Sequence, residues 1–426
     1  MKELIAGVIA FFILGGRPCG SAEQGNIDPL ERLTQLYKAH RYFELRDALA
    51  GTKGEATPGL AFFRAIEAGM SNRLNEAMAG FLAYLQDGPA EAVRPFAKDA
   101  WTNLADSYRR AGLYRKAGET YRLILDRFGG ELEAGDKANY ENQADMWSAL
   151  AGVPAQTVEV SGDSDIPLER RSFPVFIRDK AIYVWYDTGA SVSVLYESAA
   201  RDLGLAPIGS GITIQSGTGR RIESRFAVVP EMRFGNVIVR NAVFLVLPDT
   251  DFPVREIRPG IVRRGLIGVS TLVALKELIE TREGRLLIPA APRPRASRNI
   301  LLYGFRPLVE VLHRGDRLVL SLDSGAAQTF LYPPFFRRYG ADIEARSKLR
   351  EITMGGVGPS RKVAVHVLDA FGFRVAGLDL SLPKIMVHTE ETHADSRRFD
   401  GVLGADVFPR CARMIFDFAS LSFVLE

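Results

Sequence analysis

Two short stretches of the chain, Tyr186-Asp187-Thr188-Gly189-Ala190 and Leu322-Asp323-Ser324-Gly325-Ala326, share one pattern of aspartate, hydroxyl residue, glycine and alanine. Their aspartates are separated by 136 positions (323 − 187). The same separation relates Gly265-Leu266-Ile267-Gly268 to Gly401-Val402-Leu403-Gly404. Because two different motifs recur in one register, the sequence predicts a tandem duplication of a single unit.

Each copy of the duplicated unit consists of short β-type runs punctuated by glycine and proline. A hairpin leads into an apolar strand that ends at the aspartate motif, and a short helix, a second hairpin and further strands follow. We place the first unit at residues 166–290 and the second at 299–426, joined by a linker that contains Arg293-Pro294-Arg295. The second hairpins supply the candidate flap residues, which are Gly217, Gly219, Gly355 and Gly356.

The paired motifs resemble those of retropepsin-like (clan AA) aspartic proteases, with two tandem lobes in one chain, over residues from about 166 to 426. The resemblance implies a mainly-β bilobal fold and an aspartic-type endopeptidase, a hydrolase that needs no cofactor and acts on a peptide or protein substrate. Retropepsins usually dimerise, so the duplication predicts that residues 166–426 are active as a monomer. The alternative is a catalytically silent scaffold, because retropepsin-like folds also serve as binding modules.

The resemblance makes Asp187 and Asp323 the catalytic pair. Six further residues would support the two aspartate loops. They are hydroxyl residues that hydrogen-bond across the lobe junction, glycines that let the loops approach each other, and glycines beneath the loops where backbones pack closely. In that order, the three pairs are Thr188 and Ser324, Gly189 and Gly325, and Gly268 and Gly404.

The chemistry explains why two aspartates are needed. One group must take a proton from water while a second protonates the leaving side of the amide. Two carboxylates about 3 Å apart cannot both ionise, as aspartic proteases illustrate, so the shared proton belongs to the pair and neither residue has a fixed role. Ala190 and Ala326 stand where pepsin-like lobes place a hydroxyl donor. The missing donor predicts raised pKa values and a weakly acidic to neutral pH optimum.

The region at residues 23–153 has a helical pattern and no catalytic constellation. The segment 101–121 resembles a tetratricopeptide (TPR) repeat, and a second copy lies 40 positions upstream, with Ala65 and Ala77 matching Ala105 and Ala117. A generic helical bundle is the alternative. We expect this TPR-like region to bind a substrate or a protein partner, to pack on the rest of the chain, or to inhibit the peptidase until it is removed.

Residues 1–22 have the pattern of a secretory signal peptide. An apolar run from Leu4 to Leu14 precedes small residues at Gly20 and Ala22, so we predict cleavage after Ala22 and export to a bacterial periplasm or the extracellular space. Lipidation at Cys19 and a buried N-terminal helix are the alternatives. No later segment is long and apolar enough for a membrane span in the mature chain.

Composition argues against several other classes of protein. The 54 Lys and Arg residues nearly balance the 51 Asp and Glu residues, so no dominant basic field exists for nucleic acid. Two cysteines and five histidines leave little basis for a disulfide framework or a zinc enzyme. His388 and His393 flank an acidic segment that could suggest a metal site, but we interpret it as a solvated loop, so no metal is expected.

Overall fold

The computed structural model describes residues 28–52, 57–87, 94–215, 221–251, 256–356 and 360–426. The predicted signal peptide at 1–22 and the candidate flap residues Gly217 and Gly219 lie outside these residues. Among the described residues, none of the helices has both the length and the apolar character needed to cross a membrane.

Helices make up the N-terminal region over its described residues, where a 3₁₀ turn at Arg94–Phe96 precedes the fifth helix. The helices are α1 (Pro29–Lys38), α2 (Tyr42–Gly51), α3 (Pro58–Met70), α4 (Leu74–Asp87), α5 (Ala97–Arg110), α6 (Tyr114–Phe128) and α7 (Ala134–Ala149).

Small residues allow α3 and α4 to pack closely. A Cβ added to Gly80 of α4 would lie 2.9 Å from the Cβ of Ala65 in α3, and Ala77 is fully buried. Thr57 caps α3, because its hydroxyl accepts the backbone N–H of Leu60 at 3.3 Å. These contacts involve the small residues that the sequence singled out, although the repeat character of the helices stays a prediction.

A nine-stranded sheet leads into the first aspartate motif. Its order is β1-β8-β5-β10-β4-β3-β7-β6, with β9 beside β10. The strands are β1 (Thr157–Val160), β3 (Phe173–Ile177), β4 (Lys180–Tyr186), β5 (Ser193–Tyr196), β6 (Ile208–Gln215), β7 (Arg221–Phe234), β8 (Val237–Leu247), β9 (Glu256–Arg258) and β10 (Ile261–Ile267).

An eight-stranded sheet leads into the second aspartate motif. Its order is β13-β14-β15-β20-β16-β19-β18-β17. The strands are β13 (Ile300–Tyr303), β14 (Arg306–His313), β15 (Asp316–Leu322), β16 (Phe330–Leu331), β17 (Leu349–Met354), β18 (Arg361–Val375), β19 (Leu378–His388) and β20 (Gly401–Leu403).

A third sheet takes strands from both sides of the linker. Its order is β2-β12-β11-β21-β22, and the pairing of β11 with β21 joins the first half of the β region (residues 157–288) to the second half (300–426). The strands are β2 (Ser164–Pro167), β11 (Glu277–Thr281), β12 (Arg285–Ile288), β21 (Arg413–Asp417) and β22 (Ser422–Leu425).

Short helices connect the strands of the β region. They are α8 (Glu197–Asp202), α9 (Val269–Leu272), α10 (Pro333–Arg346) and α11 (Ala394–Arg398), with 3₁₀ turns at Asp249–Asp251, Val273–Leu275 and Ala405–Arg410. The predicted fold class, a helical region followed by a mainly-β region, is confirmed by these elements.

Three local interpretations differ from the structure. We placed the start of the β region at residue 166, but strand β1 lies upstream of that position. It belongs to the β region because it pairs with β8. His388 is buried at the end of β19 against the Phe330 ring, so the solvated-loop interpretation is wrong for this residue. Arg295, in the predicted linker, is held by the third sheet, since its guanidinium lies 2.7 Å from Glu277 and 3.3 Å from Asp417.

Candidate active site

Parallel strand pairs place the two aspartates in matching positions. β4 ends at Tyr186 and runs parallel to β10, and the backbone N–H of Asp187 donates to the carbonyl of Ile267 at 2.9 Å. In the second half, β15 runs parallel to β20, and the N–H of Asp323 donates to Leu403 at 3.0 Å. Each aspartate therefore begins a loop that leaves the sheet from the same kind of strand pair.

The two aspartate loops meet face to face. A Cβ added to Gly189 would overlap the Asp323 carboxylate, and a Cβ added to Gly325 would overlap the Asp187 carboxylate. Each glycine thus leaves the space that the opposite carboxylate occupies. The structure brings the predicted pair together and gives both glycines the close approach expected of them.

Reciprocal hydrogen bonds lock the loops to each other. The N–H of Thr188 donates to the Ser324 hydroxyl at 3.0 Å, and the N–H of Ser324 donates to the Thr188 hydroxyl at 2.8 Å. Both residues are buried. Because each hydroxyl satisfies the backbone of the opposite loop, the separation of the carboxylates is set by the protein rather than by a bound ligand.

Gly268 and Gly404 lie beneath the loops, as expected from the sequence. An added Cβ would come within 2.6 Å of the Val192 backbone at Gly268, and similarly close to the Gln328 backbone at Gly404. Their N–H groups donate to buried hydroxyls, Gly268 to Ser193 at 3.1 Å and Gly404 to Thr329 at 3.0 Å. Both aspartate loops therefore have the same kind of backbone packing and hydrogen bond beneath them.

The environment of the pair favours a protonated carboxyl at Asp187. Burial between the loops, together with the nearby charge of Asp323, raises the pKa of Asp187 to about 7, although the hydrogen bond from the Gly189 N–H acts to lower it. Asp323 accepts two backbone N–H groups at one oxygen, from Gly325 at 2.8 Å and from Ala326 at 2.9 Å. These donors hold the Asp323 carboxylate in place, as the Gly189 N–H does for the Asp187 carboxylate at 2.8 Å.

The alanines after each motif contribute no hydroxyl to the pair. Ala190 and Ala326 both use their backbone carbonyls, which accept N–H groups from Val269 and Ala405 at 2.8 Å each. The loops are thus tied to the following helices, while the outer carboxylate oxygens receive no side-chain donor from these two positions.

Sequence reasoning missed a charged network beside the loops. Arg171 forms a bidentate ion pair with Glu280, at 3.2 and 3.1 Å, and its third nitrogen donates to the carbonyl of Ser324 at 2.9 Å. The Tyr186 hydroxyl also donates to Glu280. The network therefore connects the strand before Asp187 with the loop that carries Asp323.

A departure from the repeat could have revealed this network. Tyr186 precedes Asp187, whereas the second copy has Leu322 at the matching position. A buried phenol needs a hydrogen-bond partner, so a tyrosine where the second copy has leucine predicts a polar group on a neighbouring strand. The partner itself lies 94 positions away, on β11, and no local pattern identifies it.

The candidate flap residues of the second half have few neighbouring atoms. Gly355 and Gly356 are exposed in the turn after β17, and an added Cβ on Gly355 would meet no atom within 4 Å. Their role as flap residues stays a prediction. Within the described ranges, no group of three or more histidine, cysteine or acidic side chains is arranged to hold a metal ion.

The first half of the β region is similar to a known protein family. A family model described as aspartyl protease matches residues 173–271. That segment contains Asp187, its loop and Gly268. The match thus covers the first aspartate motif and the strands that hold it.

Among solved structures, the chain is similar to a retropepsin-like aspartic protease from Rickettsia conorii, known from a crystal structure. It is 21% identical over 32% of this chain and 93% of that chain, with a TM-score of 0.22. No curated protein matches the chain.

Proposed function

We propose that this protein is an exported aspartic endopeptidase whose catalytic pair, Asp187 and Asp323, is assembled within one chain. The mutual approach of the two aspartate loops carries the proposal, because each glycine of one loop leaves room for the carboxylate of the other. The aspartyl protease family match over residues 173–271 supports the first half of this pair. The substrate would be a peptide or a protein.

The protonation of the pair suits hydrolysis by an activated water. With the pKa of Asp187 at about 7, the pair holds one proton in weakly acidic and neutral solution. The ionised carboxylate accepts a proton from a water between the two loops, and the resulting hydroxide attacks the peptide carbonyl. The protonated carboxyl gives its proton to the carbonyl oxygen, which forms a gem-diol. The carboxyl that took a proton from water then passes it to the leaving amine as the C–N bond breaks, and a gem-diol hydroxyl returns a proton to the pair as the carboxylic acid forms.

Export remains part of the proposal and depends on the sequence of residues 1–22. An apolar run followed by small residues at positions 20 and 22 is typical of a cleaved secretory signal. A periplasmic or extracellular peptidase would meet unfolded or secreted polypeptides as substrates. Fractionation of cells that produce the full chain, with N-terminal sequencing of the product, tests the predicted cleavage after Ala22.

The decisive experiment is a peptide-library digestion by the purified full chain. We compare the wild type with Asp187→Asn and Asp323→Asn, and we use Asp369→Asn, an exposed aspartate of β18, as the matched control. Each dyad variant should lose about a hundredfold or more in kcat/KM, because one carboxylate cannot supply both acid and base functions. The control should keep wild-type activity.

Two results would contradict this function. Near-wild-type turnover by either dyad variant would show that the assigned mechanism is wrong. Peptides that bind the wild type without being cleaved at any pH from 4 to 8 would favour the non-catalytic scaffold instead.

A further inference from the structure

Helix α7 of the N-terminal region contacts the β6–β7 hairpin of the first half. The side-chain amide of Asn142 donates to the carbonyl of Thr213 at 2.8 Å, and its oxygen accepts the N–H of Thr213 at 2.9 Å. Thr213 lies in β6, the last strand in its sheet. Asn142 therefore pairs with the outer edge of β6 as a neighbouring strand would.

Packing extends this contact along α7. The Trp147 ring lies 6.0 Å from the ring of Phe226, a buried residue of β7, and a Cβ on Gly209 of β6 would approach Ala149 at 3.2 Å. Helix α7 thus touches both strands of the hairpin. The sequence predicts that the turn of this hairpin carries a flap.

The N-terminal helices also hold the second half of the β region. Tyr303, at the end of β13, stacks on Tyr42 of α2 with ring centroids 5.6 Å apart. The Arg109 guanidinium lies 4.8 Å from the centre of the Phe305 ring and 5.6 Å from that of Trp147. Arg109 therefore connects the β13–β14 turn to the helix that holds β6.

Among the described residues, the matching hairpin in the second half receives no hydrogen bond of this kind from the N-terminal helices. β17 is the last strand of its sheet and pairs only with β18 among the described strands. Leu349, at its start, is 56% exposed, and the following Arg350 and Glu351 are exposed too. The two hairpins are thus held differently, although the sequence predicts both as flaps.

We propose that α7 is an internal brace for the β6–β7 hairpin and that Asn142 is its positioning residue. The contact between α7 and β6 does not depend on the proposed peptidase function. Only its expected effect on catalysis rests on that function. The brace fixes β6 of the first half against the N-terminal helices, which are themselves anchored to the second half, whereas β17 pairs only with β18 among the described strands. The N-terminal region then acts on the cleft from within the chain.

The test compares the full-length wild type with Asn142→Ala, Asn142→Asp and Asn139→Ala. Asn139 is an exposed asparagine on the same helix and serves as the matched control. Hydrogen exchange over residues 208–215 needs no substrate, so it tests the brace separately from the peptidase function. We expect exchange at Thr213 to be about tenfold faster in Asn142→Ala, because its N–H loses its partner. Asn142→Asp should keep that N–H protected, since a carboxylate oxygen still accepts it.

Kinetics with a peptide from the library digestion test the positioning role. Asn142→Ala should raise KM about fivefold or more with little change in kcat or in the pH profile, because the dyad loops are untouched. Unchanged exchange at Thr213 in Asn142→Ala would overturn the brace, whatever the activity. Faster exchange with an unchanged KM would overturn the positioning role. An inactive wild type would count against the peptidase function alone, with the exchange result still deciding the brace.

Discussion

Glycine is required at Gly189 and Gly325 because of a neighbour in the other half of the β region, not because of an unusual backbone angle. A methyl group at either position would occupy the space of the opposite carboxylate. The loops are locked by the Thr188 and Ser324 hydrogen bonds, so they cannot easily separate to make room. The absence of a side chain at these two glycines therefore allows the two halves of the β region to come together at the aspartates.

Gly325→Ala should abolish detectable peptidase activity and lower the free energy of unfolding by about 1–3 kcal/mol, the usual cost of overpacking. Gly152→Ala is the control, since an added Cβ there would meet no atom within 4 Å. Chemical denaturation and kcat/KM measured on both variants check this. An active, fully stable Gly325→Ala protein would contradict the close approach of the loops.

Replacing Asp187 by asparagine should change stability in a pH-dependent way. The folded-state pKa of Asp187 is raised to about 7, so its contribution to stability is fully present below its unfolded pKa and is lost as pH rises through about 7. Asparagine mimics the neutral form and avoids this loss. We expect Asp187→Asn to have a higher Tm than the wild type at pH 8 and a similar Tm at pH 4. A Tm difference independent of pH would argue against the shifted pKa.

Changing Ala190 and Ala326 together to serine should move the acidic limb of the kcat/KM profile to lower pH. A hydroxyl donor would stabilise the ionised pair, and a hydrogen bond to a charged group contributes about 1.5–3 kcal/mol, or roughly one to two pKa units. Measurements with one substrate from pH 3 to 8 compare the two proteins. An acidic limb that stays in place in a folded, active double variant would contradict this explanation.

At the scale of elements, the sequence best predicted the strands that lie next to the repeated motifs. The apolar runs that became β4 and β15, and the motifs that became the ends of β10 and β20, could be found by register alone. The shared sheet could not, because β11 and β21 pair across more than a hundred residues and strand pairing depends on packing rather than on local pattern. For the same reason, the partners of Arg171 and Arg295 were not foreseen, although both arginines are plain in the sequence.

The shared sheet depends on Arg295 for charge balance. Glu277 and Asp417 are 1% and 0% exposed, and Arg295 pairs with both. Arg295→Ala should lower the free energy of unfolding by about 3–5 kcal/mol, because it leaves two buried carboxylates without their cation. Arg293→Ala is the control, since only its backbone N–H contacts Glu277. Equal Tm values for the two variants would show that the ion pair contributes nothing.

At the scale of the whole molecule, both aspartates and all of their supports come from one chain. Activity should therefore be independent of protein concentration, with the full chain active as a monomer. Light scattering during the peptide assay, across a hundredfold dilution series, checks this. Activity that falls with dilution in step with a dimer would refute an intramolecular pair.

The Arg171–Glu280–Tyr186 network bears on the orientation in which a polypeptide would bind across the two aspartates. Two identical subunits present the same surface after a half-turn, so a polypeptide can bind across them in two equivalent orientations. Here the network stands on one side of the aspartates only, since Leu322 replaces Tyr186 on the other. The two sides of the aspartate pair consequently differ chemically, and we expect a bound polypeptide to lie across the pair in one orientation rather than in two equivalent ones.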